Sequence, residues 1–284
     1  MKDIVRLMRP KHWIKNMLIV IPAFFSRNHW ETQIIINLVI GFLCFSFLSS
    51  VVYIFNDMKD IEKDRQHEVK CFRPLACGAV SIIQAKITIL LLIVSIIALS
   101  WLLCSRISCI PVLWCAIYLG INAAYSIWLK HIPIVDVAIL AAGFMIRIFY
   151  GASVSGIEAS SWLCLTVMSF ALYMGIGKRR NELKQTGSSS TRKVLQYYDL
   201  ALLEKYMMIV TTLGIVFYSL WAGMIVDNRW VIWTVPVVLI MIMKYEMILK
   251  EDAYGDPVEV LLSDKVLCGM AVFYVSIMII LLYI

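Results

Sequence analysis

The stretch Asn56-Asp57-Met58-Lys59-Asp60-Ile61-Glu62-Lys63-Asp64 arrives at the end of a long apolar run and opens a loop dense in both charges. The run before it, from about residue 34, is continuous rather than alternating, and only helices and closed barrels satisfy their own backbone in hydrocarbon. It therefore reads as a membrane-crossing helix. Asp57, Asp60 and Asp64 stand three and seven residues apart, so a helix carries them on one face, with Asn56 four before Asp60. Such a face is an oxygen cage. Magnesium takes hard oxygen ligands, keeps several waters, and is usually held by one or two carboxylates together with substrate phosphates. The expected ligand is Mg²⁺ with a diphosphate, on Asn56, Asp57, Asp60 and Asp64. The plain alternative is a solvated helix cap neutralised by Lys59, Lys63 and Arg65, which gives no reason for three carboxylates in register at a bilayer boundary.

Composition extends the membrane reading to the whole chain. Of 284 residues, 61% are hydrophobic and 16% charged, with a mean hydropathy of +0.83, against about 45–50% apolar and about 25% charged in soluble domains. Nine spans are expected, at 13–28, 34–56, 82–104, 109–129, 133–155, 160–178, 205–226, 230–249 and 264–284. The fold class is an all-α membrane protein, with residues 1–284 as one polytopic catalytic domain and no internal repeat. Pro22-Ala23-Phe24-Phe25-Ser26 offers no small-x-small cleavage site, so the first run is read as retained. Of the eight cysteines, Cys44, Cys115, Cys164 and Cys268 lie inside apolar runs, and Cys71 and Cys77 share no zinc-like spacing with another pair. Cys104 and Cys109 flank a short loop, where either a bridge or two free thiols is compatible with the spacing.

Lys and Arg set the orientation. Only Arg27, Arg106 and Arg229 fall in loops on one side and Arg147 inside a span, leaving 22 of the 26 on the side of the N-terminus. That side is expected to be cytoplasmic, at a plasma membrane, with the C-terminus external. The net charge of +7 then follows from topology and calls for no nucleic acid; basic loops there meet membrane lipids and phosphorylated substrates. The long loops 57–81, 179–204 and 250–263 all fall on the cytoplasmic side, where the chemistry is expected; the last of them reads as mostly structural, or as a lid.

Several further constellations point to phosphate. Arg65, His67, Lys70 and Arg73 follow the acidic motif, and cations there suit the non-bridging oxygens of a diphosphate. In Arg9-Pro10-Lys11-His12-Trp13-Ile14-Lys15-Asn16, Trp13 is an interfacial anchor, but Lys15 and Asn16 already lie in the helix and are expected at a cavity. Tyr125, Lys130, Asp136, Gly143 and Arg147 come from the fourth and fifth spans. Asp136, Gly143 and Arg147 form one stripe. An Arg at that depth costs about 2.5–3.5 kcal/mol unless it meets water or a partner. Asp136 cannot be that partner directly, because eleven residues at about 1.5 Å rise separate them by roughly 16 Å, and a bound phosphate is the expected one. Lys178 and Glu182 sit four apart and would present a cation and a carboxylate to one ligand, with Arg179 beside them. His12, His29, His67 and His131 have no zinc spacing, and no P-loop, GxGxxG or Ser-His-Asp arrangement is present.

The NDxxDxxxD motif after the second of nine expected helices resembles the UbiA superfamily of intramembrane prenyltransferases. Those enzymes carry a second aspartate-rich motif after the sixth helix, where this chain has Gly177-Lys178-Arg179-Arg180-Asn181-Glu182-Leu183. With Arg9-Pro10-x-x-Trp13-x-Lys15-Asn16, Tyr125-Ser126-x-x-Leu129-Lys130 and Gly255-Asp256-Pro257-Val258-Glu259, the pattern is similar to the decaprenyl-phosphate phosphoribosyltransferase branch. The resemblance implies helices around a cytoplasm-facing cavity, and transfer of 5-phosphoribose from phosphoribosyl diphosphate to a polyprenyl phosphate for a lipid-linked arabinose precursor. It also implies Mg²⁺ on Asn56, Asp57, Asp60 and Asp64, with Asp136 at the ribosyl centre. Lys15, Asn16, Arg73, Tyr125, Lys130, Arg147, Lys178, Arg179 and Glu182 would bind the substrates. Prenyl transfer to an aromatic acceptor is the alternative, disfavoured by the missing second aspartate motif. A transporter using Asp136 and Arg147 as pathway charges would need polar residues in both leaflets.

Overall fold

Among the described residues, eight helices are long and apolar enough to cross a membrane. The computed structural model describes residues 2–26, 30–66, 69–186, 193–226, 228–251, 260 and 264–284. Helix α1 (Lys2–Met8) leads through a 3₁₀ segment (Pro10–Val20) into α2 (Ile21–Phe25), followed by α3 (Thr32–Lys59), α4 (Ile61–Arg65), α5 (Ile82–Arg106) and α6 (Ile110–Ile127). After these come α7 (Val135–Ser155), α8 (Ser161–Thr186), α9 (Leu200–Met224), α10 (Val235–Glu251) and α11 (Lys265–Tyr283). Local chemistry sets several starts. Ser81 and Gln84 form a reciprocal capping box at α5, while Asp199 and Asp264 accept the N–H of Leu202 and Leu267 at α9 and α11.

Two expectations change. The first expected span, 13–28, is a 3₁₀ segment passing into a five-residue α-helix and is not among the eight apolar helices. Proline is one cause: Pro22 has no N–H to offer the Leu18 carbonyl, which instead accepts from Ile21 in a three-residue closure. The sixth span, expected to end at 178, runs on as α8 to Thr186, carrying Arg179 and Arg180 with it. Both arginines are fully buried rather than solvated at an interface. The expected lid residues 252–259, including Asp256 and Glu259, lie outside the described residues, as do His29 and His67.

The chain divides into two compact units, Met1–Ser126 with Ile146–Glu158, and Ile127–Met145 with Ala159–Ile284. Phe45, Tyr118 and Tyr150 form an aromatic centre in the first unit, their rings 4.8 and 5.0 Å apart about Phe45. Ile19 packs there too, and its backbone comes so close to Gly151 that no side chain fits between them. In the second unit Val137, Tyr173, Ile176, Leu195, Leu203 and Met207 share a core, and Tyr218 joins Thr234 and Tyr274 through buried hydroxyls. All eight cysteines are free thiols.

Candidate functional site

The acidic motif does not continue as one straight helix. α3 ends at Lys59, Asp60 has φ −103° and ψ 12°, and α4 begins at Ile61. Asp57 and Asp64 are nevertheless brought onto one cation: Arg73 Nη1 donates to Asp57 Oδ1 at 3.1 Å and to Asp64 Oδ2 at 2.7 Å. Arg9 Nη2 donates to the same Asp57 oxygen at 2.5 Å. Both carboxylates are buried, so this pairing offsets the desolvation of their charge. Asp60 is half-buried and its carboxylate has no hydrogen-bond partner among the described residues, whereas Asn56 Oδ1 accepts from Ser126 Oγ at 3.4 Å.

No three His, Cys, Asp or Glu side chains among the described residues converge as a preformed metal cage. The donor set still suits magnesium, because two carboxylate oxygens meet on a single cationic nitrogen, and two carboxylates completed by phosphate and water is the usual magnesium arrangement. Asp57 and Asp64 thus form a carboxylate pair closed by arginine, with Asp60 at the bend between α3 and α4, across which the Asp60 and Asp64 N–H groups still donate to the carbonyls four residues back.

Deeper in the same unit, Arg147 is 5% exposed. Its Nε donates to Asn16 Oδ1 at 2.8 Å and its Nη2 to the Tyr118 hydroxyl at 3.4 Å, with the guanidinium 5.3 and 5.2 Å from the Phe45 and Tyr118 ring centres. Asn16 Nδ2 in turn donates to Ser46 and Ser49, and Trp13 Nε1 donates to Ser50. The partners of Arg147 include protein groups, where a bound phosphate was expected. Ser46, Ser49 and Ser50 were missed by the sequence reading, though their i, i+3, i+4 spacing on an apolar helix was a visible polar stripe.

In the second unit Asp136 has no exposed surface. Arg179 Nε donates to its Oδ2 at 2.5 Å and the Tyr198 hydroxyl to its Oδ1 at 3.1 Å. Arg179 Nη1 also holds Glu182 at 2.7 Å. Glu182 is therefore paired with Arg179 three residues back, a contact the Lys178 spacing did not suggest. Arg180 is fully buried, and among the described residues its Nη2 donates to the Leu249 carbonyl at 3.4 Å while its Nε and Nη1 have no hydrogen-bond partner. Lys15, Tyr125, Lys130 and Lys178 are half-buried. An apolar cavity of about 290 Å³ opens beside Tyr198, between Val137, Leu172, Ile176 and Leu203.

Two residues outside the expected set complete the clusters, Arg9 and Tyr198. Arg9 and Ile134 are the non-glycine residues with positive φ among the described residues, at 55° and 68°. Each adjoins a proline. Each also serves an aspartate cluster, Arg9 through its side chain on Asp57 and Ile134 through its N–H on Tyr198.

The sequence profile of the UbiA prenyltransferase family matches residues 17–259. The chain belongs to that family. The UbiA-type chain is 31% identical to the decaprenyl-phosphate phosphoribosyltransferase of Corynebacterium glutamicum, over 99% of its own length and 86% of the relative. It is 30% identical to the enzyme of the same name from Mycolicibacterium smegmatis, over 93% of its length and 87% of the relative. Among solved structures, a UbiA homologue from Archaeoglobus fulgidus bound to DMAPP and Mg²⁺ superposes with a TM-score of 0.72 over 99% of both chains at 16% identity. That likeness establishes the fold. The long apolar helices and family membership make this UbiA protein an integral membrane protein.

Proposed function

We propose that this UbiA-family protein transfers 5-phosphoribose from phosphoribosyl diphosphate to a polyprenyl phosphate, releasing diphosphate. The observation that carries the reading is near-complete alignment, at about 30% identity, with two relatives named for that transfer. Two features of the chain support it. Arg179 and Glu182 stand on α8 where a second aspartate-rich motif would serve prenyl diphosphates, and Asp57 with Asp64 offers two convergent carboxylate oxygens.

In this reading Asn56, Asp57, Asp60 and Asp64 would hold Mg²⁺. The metal, when bound, withdraws charge from the departing diphosphate. Arg73 and Arg9 exchange carboxylate for phosphate oxygens as donor binds, keeping their charges neutralised throughout. To Asp136 falls the ribosyl group, whose C1 gains positive charge as the bond to diphosphate breaks; a carboxylate held by two partners stabilises that charge without reorganising. The lipid phosphate oxygen then forms the new C1–O bond. Being already anionic, it needs no general base. The apolar cavity beside Tyr198 takes part of the prenyl chain, and the Lys- and Arg-rich loops lie on the cytoplasmic side of the plasma membrane.

Purified protein with Mg²⁺ and a polyprenyl phosphate tests this directly, with phosphoribosyl diphosphate in one arm and a prenyl diphosphate plus aromatic acceptor in another. Diphosphate release with a phosphoribosylated lipid is the expected result. Activity confined to the prenyl arm would overturn the substrate assignment.

A further inference from the structure

We propose that Tyr198 is a positioning residue for Asp136, fixing both the carboxylate and the first turn of the helix that carries it. The inference rests on the role given to Asp136 above, but its geometry lies wholly within the second unit.

The hydroxyl of Tyr198 has one proton to give. The Ile134 N–H can only donate, and it donates to this oxygen at 2.5 Å. The phenolic proton is therefore committed to Asp136 Oδ1, 3.1 Å away. Burial pushes the phenol up to about 12, so the proton is in place at neutral pH. Asp136 Oδ2 is taken by Arg179 Nε. Each carboxylate oxygen thus has its own partner, which fixes the rotation of the carboxylate plane as well as its place.

The backbone contact is the less ordinary half. Ile134 sits at φ 68°, a left-handed conformation that a β-branched residue adopts only under constraint. Its carbonyl accepts from Val137 and Ala138 and so opens α7. Its N–H points back to Tyr198 rather than into a helical bond. Tyr198 itself is 8% exposed, its N–H bonded to the Leu195 carbonyl, immediately before the Asp199 cap of α9. One hydroxyl consequently ties the start of α7 to the start of α9, and Asp136 lies two residues beyond the tie. Backbone strain retained beside a buried carboxylate is the pattern expected where orientation, rather than stability alone, is being held.

The test is a double-mutant cycle of Tyr198→Phe and Asp136→Asn, read by diphosphate release. Phenylalanine keeps the ring among Val137 and Leu203 and removes only the hydroxyl. We expect Y198F to lower kcat about 10- to 100-fold, as for loss of one hydrogen bond to a charged group, with KM for phosphoribosyl diphosphate unchanged. On the D136N background it should cost nothing further. Losses that multiply in the double variant, or a wild-type kcat in Y198F, would overturn the proposal. If wild type itself shows no such turnover, the substrate reading fails, and hydrogen exchange still decides the tether: the Ile134 amide should exchange faster in Y198F than in wild type, and equal rates refute the tie. Should Y198F fold poorly, Ile134→Gly relieves the left-handed strain, and Y198F is compared with wild-type Tyr198 on that background by the same criteria.

Discussion

Gly151→Ala should disrupt the first unit from a single added methyl. A Cβ at 151 falls 2.0 Å from the Ile19 carbonyl oxygen, with the Ile19 C and Cα at 2.7 and 2.8 Å. These are backbone atoms, so no rotamer change relieves the contact. The gap must widen from 2.0 Å to at least 3.4 Å, and it can do so only by moving the 3₁₀ segment off α7. Asn16 is one 3₁₀ turn before Ile19 and Arg147 one α-turn before Gly151, so the displacement falls on their 2.8 Å bond. Overpacking costs about 1–3 kcal/mol, and loss of a hydrogen bond to a buried charge about 1.5–3 kcal/mol. Together they amount to roughly 3–5 kcal/mol, or a fall in Tm on the order of 10 °C. A thiol-reactive dye in detergent reads it, because Cys44 and Cys115 are buried free thiols of the same unit. Gly120→Ala, with open space at its Cβ, is the control and should melt with wild type. A G151A protein that also melts with wild type would refute the backbone-to-backbone packing.

Asp60→Ala should abolish diphosphate release while leaving the melting temperature unchanged, since among the described residues the Asp60 carboxylate has no partner to lose; full turnover would remove it from the metal site. Asp57→Ala should also abolish turnover but lower stability, because Arg9 loses its carboxylate partner and Arg73 is left on Asp64 alone. Stripping Mg²⁺ with a chelator should stop turnover and re-addition restore it; activity without divalent metal would refute the carboxylate assignment. Asp264 titrates below the ordinary aspartate range, chiefly through the Leu267 N–H and then through Lys244. A depressed acid stabilises the fold above its unfolded value, about 3.9, and that contribution is lost as pH falls through the lowered one. Asp264→Ala should therefore melt below wild type at neutral pH, with the gap closing in acid; a gap independent of pH would refute the ionic part of the cap.

The membrane-crossing helices were legible because hydropathy and span length are local properties. The winding of residues 10–20 was not, since apolar content is silent on whether a turn closes over three residues or four. Asp57 and Asp64 announced themselves by spacing. Arg9, which meets Asp57 across 48 residues of sequence, did not. Similarly, helical rise alone excluded Asp136 as the direct partner of Arg147, but Asn16 lies 131 residues away and no periodicity points to it. Arg179 was expected at a ligand beside Lys178 and Glu182, but its pairing with Asp136 was not legible, because that carboxylate sits 43 residues earlier. Tyr198 was invisible for the same reason, its two bonds both joining elements far apart in sequence.

The 3₁₀ winding of the first segment makes it a ruler. Eleven residues at about 2.0 Å rise are roughly 5 Å longer than the same residues wound as α-helix. One end is pinned where Ile19 meets Gly151, and the other reaches Asp57 through Arg9. Were the whole segment to rewind as α-helix, Arg9 would retract from the carboxylates by more than the length of its 2.5 Å bond, and Asn16 would rotate away from Ser46 and Ser49. The pitch of one short helix thus sets, at a distance, how tightly the acidic pair is closed.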